Sequence, residues 1–113
     1  TLFRSLAFSH VGLPPSTAVS TMLSRVAAQA GKRLVFRAVV SNFDSAFRVV
    51  TAGLGVSIVP REVGQIYVAN RLVKTIALTD SWAQRRFVIC FRSHQELTPA
   101  SNSLIDFLTT KTR

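Results

Sequence analysis

Between Ser41 and Pro60 the apolar and polar positions change their period in mid-stretch. Phe43, Ala46, Phe47 and Val50 recur at the i, i+3, i+4, i+7 spacing of one helical face, while Asp44, Ser45 and Arg48 occupy the remaining arc. Gly53 falls where a left-handed cap would end that helix. Leu54 to Val59 is then an unbroken apolar run closed by Pro60, which predicts a short parallel strand buried on both faces.

The same grammar precedes it. Phe8 to Leu13 predicts a strand, Pro14 and Pro15 stop it, and Ser16 or Thr17 caps a helix whose apolar positions are Val19, Met22, Leu23, Val26, Ala27 and Ala30. Gly31 ends that helix. Leu34, Phe36, Ala38 and Val40 alternate with Val35, Arg37 and Val39, a strand with one face more apolar than the other. The predicted order to Pro60 is β-α-β-α-β, an α/β core.

After Pro60 the pattern predicts a shorter helix with Val63, Ile66 and Tyr67 on its apolar side. A strand from Leu72 to Leu78 follows, then a polar turn over Asp80 to Gln84 and a strand from Arg86 to Arg92, the two strands forming an antiparallel pair. Thr98 as N-cap and Pro99 at the first helical position open a closing helix with Ala100, Leu104, Phe107 and Leu108 along one stripe. Lys111 to Arg113 are expected to fray.

Composition changes this picture in three places. A length of 113 residues suits about one small domain or a piece of a larger one. No apolar run approaches the roughly 20 residues that span a bilayer, and no leader segment is visible, so a cytoplasmic setting without membrane contact is expected. The single cysteine, Cys90, lies in the apolar run Phe87 to Phe91 and is expected to be buried, with no internal disulfide.

The formal charge of +9, from 14 basic and five acidic residues, invites a nucleic-acid reading. The distribution argues against it. Basic residues are scattered over every predicted element, the doublets are Lys32-Arg33 and Arg85-Arg86, and no basic run is interleaved with aromatics as a base-stacking platform would be.

The segment Val49-Val50-Thr51-Ala52-Gly53-Leu54-Gly55-Val56-Ser57-Ile58-Val59-Pro60 resembles the V-A-A-G-L-G-V-x-L-L-P stretch of LysR-type transcriptional regulators, in their effector-binding domain. His10 to Ala18 is similar to the strand and turn that open the second lobe of those domains. Leu78 to Arg86 with the apolar strand after it resembles the return to the first lobe, and Leu97-Thr98-Pro99-Ala100 resembles the start of the last helix. The resemblance runs from about Phe8 to Leu108.

It implies a partial type II periplasmic-binding-protein fold: second lobe over about residues 8–70, and a return segment to the first lobe over about 71–113. It also implies a bacterial regulator that senses a small molecule, pairs its subunits antiparallel, and meets DNA only through a winged helix-turn-helix that these residues do not contain. The helix from Thr17 to Ala30, with small residues Ala18, Ala27, Ala28 and Ala30 beside its main stripe, either packs on a second subunit or only faces its own sheet.

In parallel α/β sheets ligands bind at the carboxyl ends of strands, where the following helices present unpaired N–H groups that favour anions. Two predicted helices start there, so small organic acids are the expected effector class. Ser41 is the leading candidate, its hydroxyl either capping the helix or facing the crevice; Asn42 adds a polar contact or the cap, and Phe43 an apolar wall or a core residue. Leu13, Pro14, Pro15 and Ser16 form the opposing rim. Pro60 is a further candidate, though strand termination alone accounts for it.

Catalytic chemistry finds no support in the sequence. Asp44, Glu62, Asp80, Glu96 and Asp106 are widely separated, Gly55-Val56-Ser57 is followed at position 59 by Val and fails the nucleophile-elbow pattern, and Gly53-Leu54-Gly55 lacks the third glycine of a dinucleotide fingerprint. His10 and His94 have no metal-ligand spacing, and Trp82 reads as covering a junction or stacking on a ligand. Neither a metal nor a cofactor is expected. Two other readings stand beside the regulator: a solute-binding protein of the same fold, and a basic nucleic-acid-binding module.

Overall fold

The computed structural model describes residues 1–69 and 72–110. Its contacts divide the chain into two units, residues 1–83 and 84–113.

The first unit is built on a short parallel sheet. Strand β1 (His10–Gly12) is buried at all three positions and pairs in parallel with β2 (Phe36–Val39), with an irregularity in register between His10 and Val11. On its other side β1 meets the segment after α3: Val11 N–H donates to the Val56 carbonyl at 2.8 Å and Val56 N–H donates to the Ser9 carbonyl at 2.9 Å, a parallel bridge. The order is therefore β2, β1, then the Val56 segment, with β1 central. Burying Leu2, Val11 and Leu23, the larger aliphatic residues of the core, contributes about 2 kcal/mol each.

Helices connect these strands as the apolar periodicity requires. Helix α2 (Ala18–Gln29) turns Ser20, Leu23 and Ala27 inward and is capped by Thr17, whose hydroxyl accepts from Ser20 N–H. Gly31 follows its end. Helix α3 (Phe43–Thr51) buries Ala46 and ends in a double return, Gly53 N–H to the Val50 carbonyl at 2.9 Å and Leu54 N–H to the Val49 carbonyl at 3.3 Å. That return needs the left-handed φ of 76° at Gly53, which a side chain would oppose by about 1 kcal/mol.

Helix α4 (Arg61–Val68) starts after Pro60 and buries Gly64, where the Thr75 methyl and a Val59 methyl come close. Its Ile66, expected on the apolar side, is exposed; Tyr67 instead stacks on Phe47 of α3 with ring centroids 4.0 Å apart.

Several expectations are corrected. The first strand begins at His10, and Phe8 is 63% exposed. A helix not read from the sequence, α1 (Leu2–Ser5), precedes it. The run Leu54 to Val59 is not a strand buried on both faces: Leu54 is exposed, and the ladder is confined to Val56. The reason lies one residue on, where the Ser57 hydroxyl donates to the Val11 carbonyl at 2.9 Å and takes the acceptor that a continuing ladder would use. The segments 72–78 and 86–92 form no strand or ladder among the described residues, so the expected antiparallel pair is not observed. Alternation marks which side chains share a face; it does not supply a partner for the backbone.

In the second unit α5 (Pro99–Thr110) starts as expected, Thr98 Oγ1 accepting from Ser101 N–H at 3.2 Å. Its stripe is not buried, Leu104 being 57% exposed. Cys90 is exposed too, in contrast to the expected core position, because the Phe87 to Phe91 run it belongs to lies on the surface, with Phe87 at 91% exposure. Arg85 lies over the Phe87 ring, and Phe91 meets His94 edge-on at 4.6 Å. The expected fraying of Lys111 to Arg113 lies outside the described residues.

Candidate functional site

Because β1 and β2 run parallel and adjacent, the turns that follow them leave the same edge of the sheet. Val40 N–H donates to the Gly12 carbonyl at 2.9 Å, which fixes the last residues of the two strands side by side. A Cβ at Gly12 would land on the Phe36 ring, so any larger residue there requires that ring to move.

From β1 the chain passes into Leu13, Pro14, Pro15 and Ser16. This turn is rigidly tied: the Pro14 carbonyl accepts from both Thr17 N–H and Thr17 Oγ1 at 2.9 Å, and the Pro15 carbonyl accepts from Thr21 Oγ1 at 3.1 Å. Leu13 and Pro14 are half-buried, Pro15 and Ser16 exposed. Thr17, not Ser16, is the cap, which leaves the Ser16 side chain facing solvent.

From β2 the chain passes into Ser41, Asn42 and Phe43. Asn42 caps α3, its Oδ1 accepting from Ser45 N–H at 2.8 Å. Ser41 does not cap: its exposed Oγ accepts from Asn42 Nδ2 at 3.4 Å, and its own proton remains available to an acceptor. Phe43 is half-buried at the first position of the helix. Asp44, whose negative charge stands in the first turn, is engaged along the helix by Arg48 Nε at 3.0 Å and by the Tyr67 hydroxyl at 3.4 Å. The Tyr67 phenol is held above its ordinary value of 10.0, first by partial burial and then by the Asp44 carboxylate and its hydrogen bond, with Arg48 opposing.

Pro60 follows the Val56 segment, which also runs parallel to β1, and opens α4 without a side-chain cap. The seven candidates that follow β1 and β2 therefore share the carboxyl edge of one sheet, and Pro60 lies four residues beyond the single Val56 bridge. They do not line the larger hollow, an open depression of about 310 Å³ bounded by Phe8, Ser9, Arg37 and Gly53 to Val56. An interior void of about 10 Å³ touches Leu13 and is otherwise core. Among the described residues no cluster of three metal-ligating side chains occurs, and no helix is long and apolar enough to cross a membrane.

The model of the LysR substrate binding domain family matches residues 5–113. This chain belongs to that family.

As a LysR substrate-binding domain it has the α/β fold of periplasmic-binding-protein type, and the parallel β2-β1-Val56 core is consistent with it. Domains of this family bind small-molecule effectors and belong to transcriptional regulators, which are generally not enzymes. No curated protein and no solved structure matches this chain. Sequence reasoning missed the pairing of Asp44 with Tyr67; the i, i+4 spacing of Asp44 and Arg48 was the visible signal, and the 23-residue reach to Tyr67 was not.

Proposed function

We propose that this LysR substrate-binding domain senses a small organic acid at the carboxyl edge of its sheet and passes the signal to a winged helix-turn-helix lying outside these residues, in a cytoplasmic homo-oligomer. The observation that carries the proposal is Ser41: an exposed hydroxyl with an available proton, one residue before the capped N-terminus of α3 and across the Gly12–Val40 hydrogen bond from the Leu13 to Ser16 turn. A carboxylate there receives the Ser41 O–H and meets the first N–H groups of α3, where the helix dipole favours negative charge. Phe43, Leu13 and Pro14 give the rest of the effector an apolar wall, with Pro15, Ser16, Asn42 and Pro60 bounding the site. Effector binding shifts the population of domain arrangements, and the DNA-binding part reads that shift.

The test is a thermal-shift screen of small organic acids on the longer regulator. An acid present at about 100 times its Kd stabilises by roughly 2.7 kcal/mol, an easily measured rise in Tm. Losing a hydrogen bond to a charged group in Ser41→Ala weakens binding by about tenfold or more. A stabilising acid whose shift survives Ser41→Ala removes Ser41 from the site.

A further inference from the structure

Outside the candidate site, the described residue that lies deepest yet nearest an end of the chain is Leu2, 3% exposed in a helix of four residues. So short a helix has no stability of its own. It is held from three directions. Asp80 Oδ2 accepts from Leu2 N–H at 2.9 Å, across 78 positions of sequence. The Ser5 carbonyl at the other end of α1 accepts from His10 Nε2 at 2.9 Å, and since a carbonyl only accepts, the ring proton sits on that nitrogen. Between them the Lys32 ammonium lies 5.5 Å over the Phe3 ring. Thr1 caps the same turn through its hydroxyl, donated to by Arg4 N–H at 3.3 Å.

Asp80 stands at the threshold of the 3₁₀ turn Ser81–Ala83, where the first unit ends, and Ala83 N–H donates to the Asp80 backbone carbonyl at 3.0 Å. The side chain of Asp80 thus fastens the start of the unit while its main chain shapes the finish. We propose that α1 is a strap and Asp80 its buckle: a conformational device that makes the two ends of residues 1–83 move as one piece. His10 completes the fastening by anchoring the strap to the central strand, so displacement of Leu2–Ser5 is felt at β1 and at the Asp80 turn together. The carboxylate suits the task because it accepts from Leu2 N–H, the first N–H of α1, where negative charge is favoured.

Trypsin reports on the strap directly, since Arg4 lies inside it. In the full-length protein under native conditions, cleavage after Arg4 is expected to be slow; Asp80→Ala accelerates it about tenfold, the scale of a lost hydrogen bond to a charged group. Asp80→Asn, which keeps a side-chain oxygen to accept from Leu2 N–H, stays within a few-fold of the parent. Cleavage after Arg25 in α2 and Arg48 in α3 serves as the reference. Acceleration confined to Arg4 supports the strap. Equal rates at Arg4 in the parent and in Asp80→Ala overturn it, and so does a parallel acceleration at all three arginines, which makes Asp80 a support of the whole unit. None of these readouts involves an effector, so the result stands apart from the fate of the Ser41 assignment.

Discussion

Tyr67 is the single tyrosine of the chain, so its ionisation can be followed by absorbance without ambiguity. Its phenol donates to Asp44 and lies stacked against Phe47, both of which favour the neutral form. The folded-state pKa is raised above the unfolded value of 10.0, so the folded state holds the proton longer. The stability this contributes is fully present below pH 10 and is lost as pH rises through the folded value. Tyrosinate absorbance should therefore titrate with a midpoint above 10, and Asp44→Asn should bring the midpoint down towards 10. A parent midpoint at 10 or below would show that Asp44 does not act on the ring in solution.

At the scale of elements, helix starts are the best-encoded features of the chain. Thr17, Asn42 and Thr98 each accept a hydrogen bond from the backbone N–H three residues on, and each stands just before an apolar stripe of helical period. Thr17→Ala should cost about 1 kcal/mol, seen as a lower urea midpoint with unchanged m-value. An unaltered midpoint would mean that the backbone N–H of residue 17 on the Pro14 carbonyl and the Thr21 hydroxyl on the Pro15 carbonyl suffice to fix the start of α2. The strand β2 was legible for a similar local reason: Leu34, Phe36, Ala38 and Val40 are half-buried while Val35, Arg37 and Val39 are exposed, as their alternation requires. What sequence could not convey is pairing. Leu54 to Val59 has the apolar content of a central strand, but the Ser57 hydroxyl at the Val11 carbonyl ends the ladder after one bridge, and no periodicity encodes that competition. The candidate site divides the same way. Its residues were named from turn chemistry, whereas the choice of Asn42 over Ser41 as cap, which leaves the Ser41 proton available, is a matter of backbone geometry at the Val40 turn. Cys90 departs from its expected burial because an apolar run does not by itself imply a core position, and this run is on the surface.

At the scale of the whole molecule the charge balance governs. Against 14 basic residues stand five acids, and four of these are at helix starts: Asp44 and Glu62 in the first turns of α3 and α4, Glu96 in the 3₁₀ turn at His94–Glu96, and Asp80 on Leu2 N–H. Among the described residues the ion pairs are Arg48 with Asp44 and a looser Arg92 with Glu96 at 3.9 Å, both exposed and worth under about 1 kcal/mol each. Most arginines among the described residues therefore have no acidic partner, and with a formal charge of +9 sodium chloride should stabilise the fold. Between about 10 mM and 0.1 M the screening length falls from roughly 30 to 10 Å, and a rise of a few degrees in Tm is expected over that interval. A falling Tm would show that the acids at helix starts contribute more than the repulsion removes.

The Asp80 carboxylate on the Leu2 amide has a topological corollary as well. With its beginning and finish pinned at one spot, the 1–83 segment traces an almost closed ring of chain. Such a ring can be reopened elsewhere: in residues 1–83 taken by themselves, a short glycine-serine joint between Thr1 and Ala83 and a new break in an exposed turn, for instance after Gly31, would give a circular permutant in which the same sheet and helices are reached by a different path.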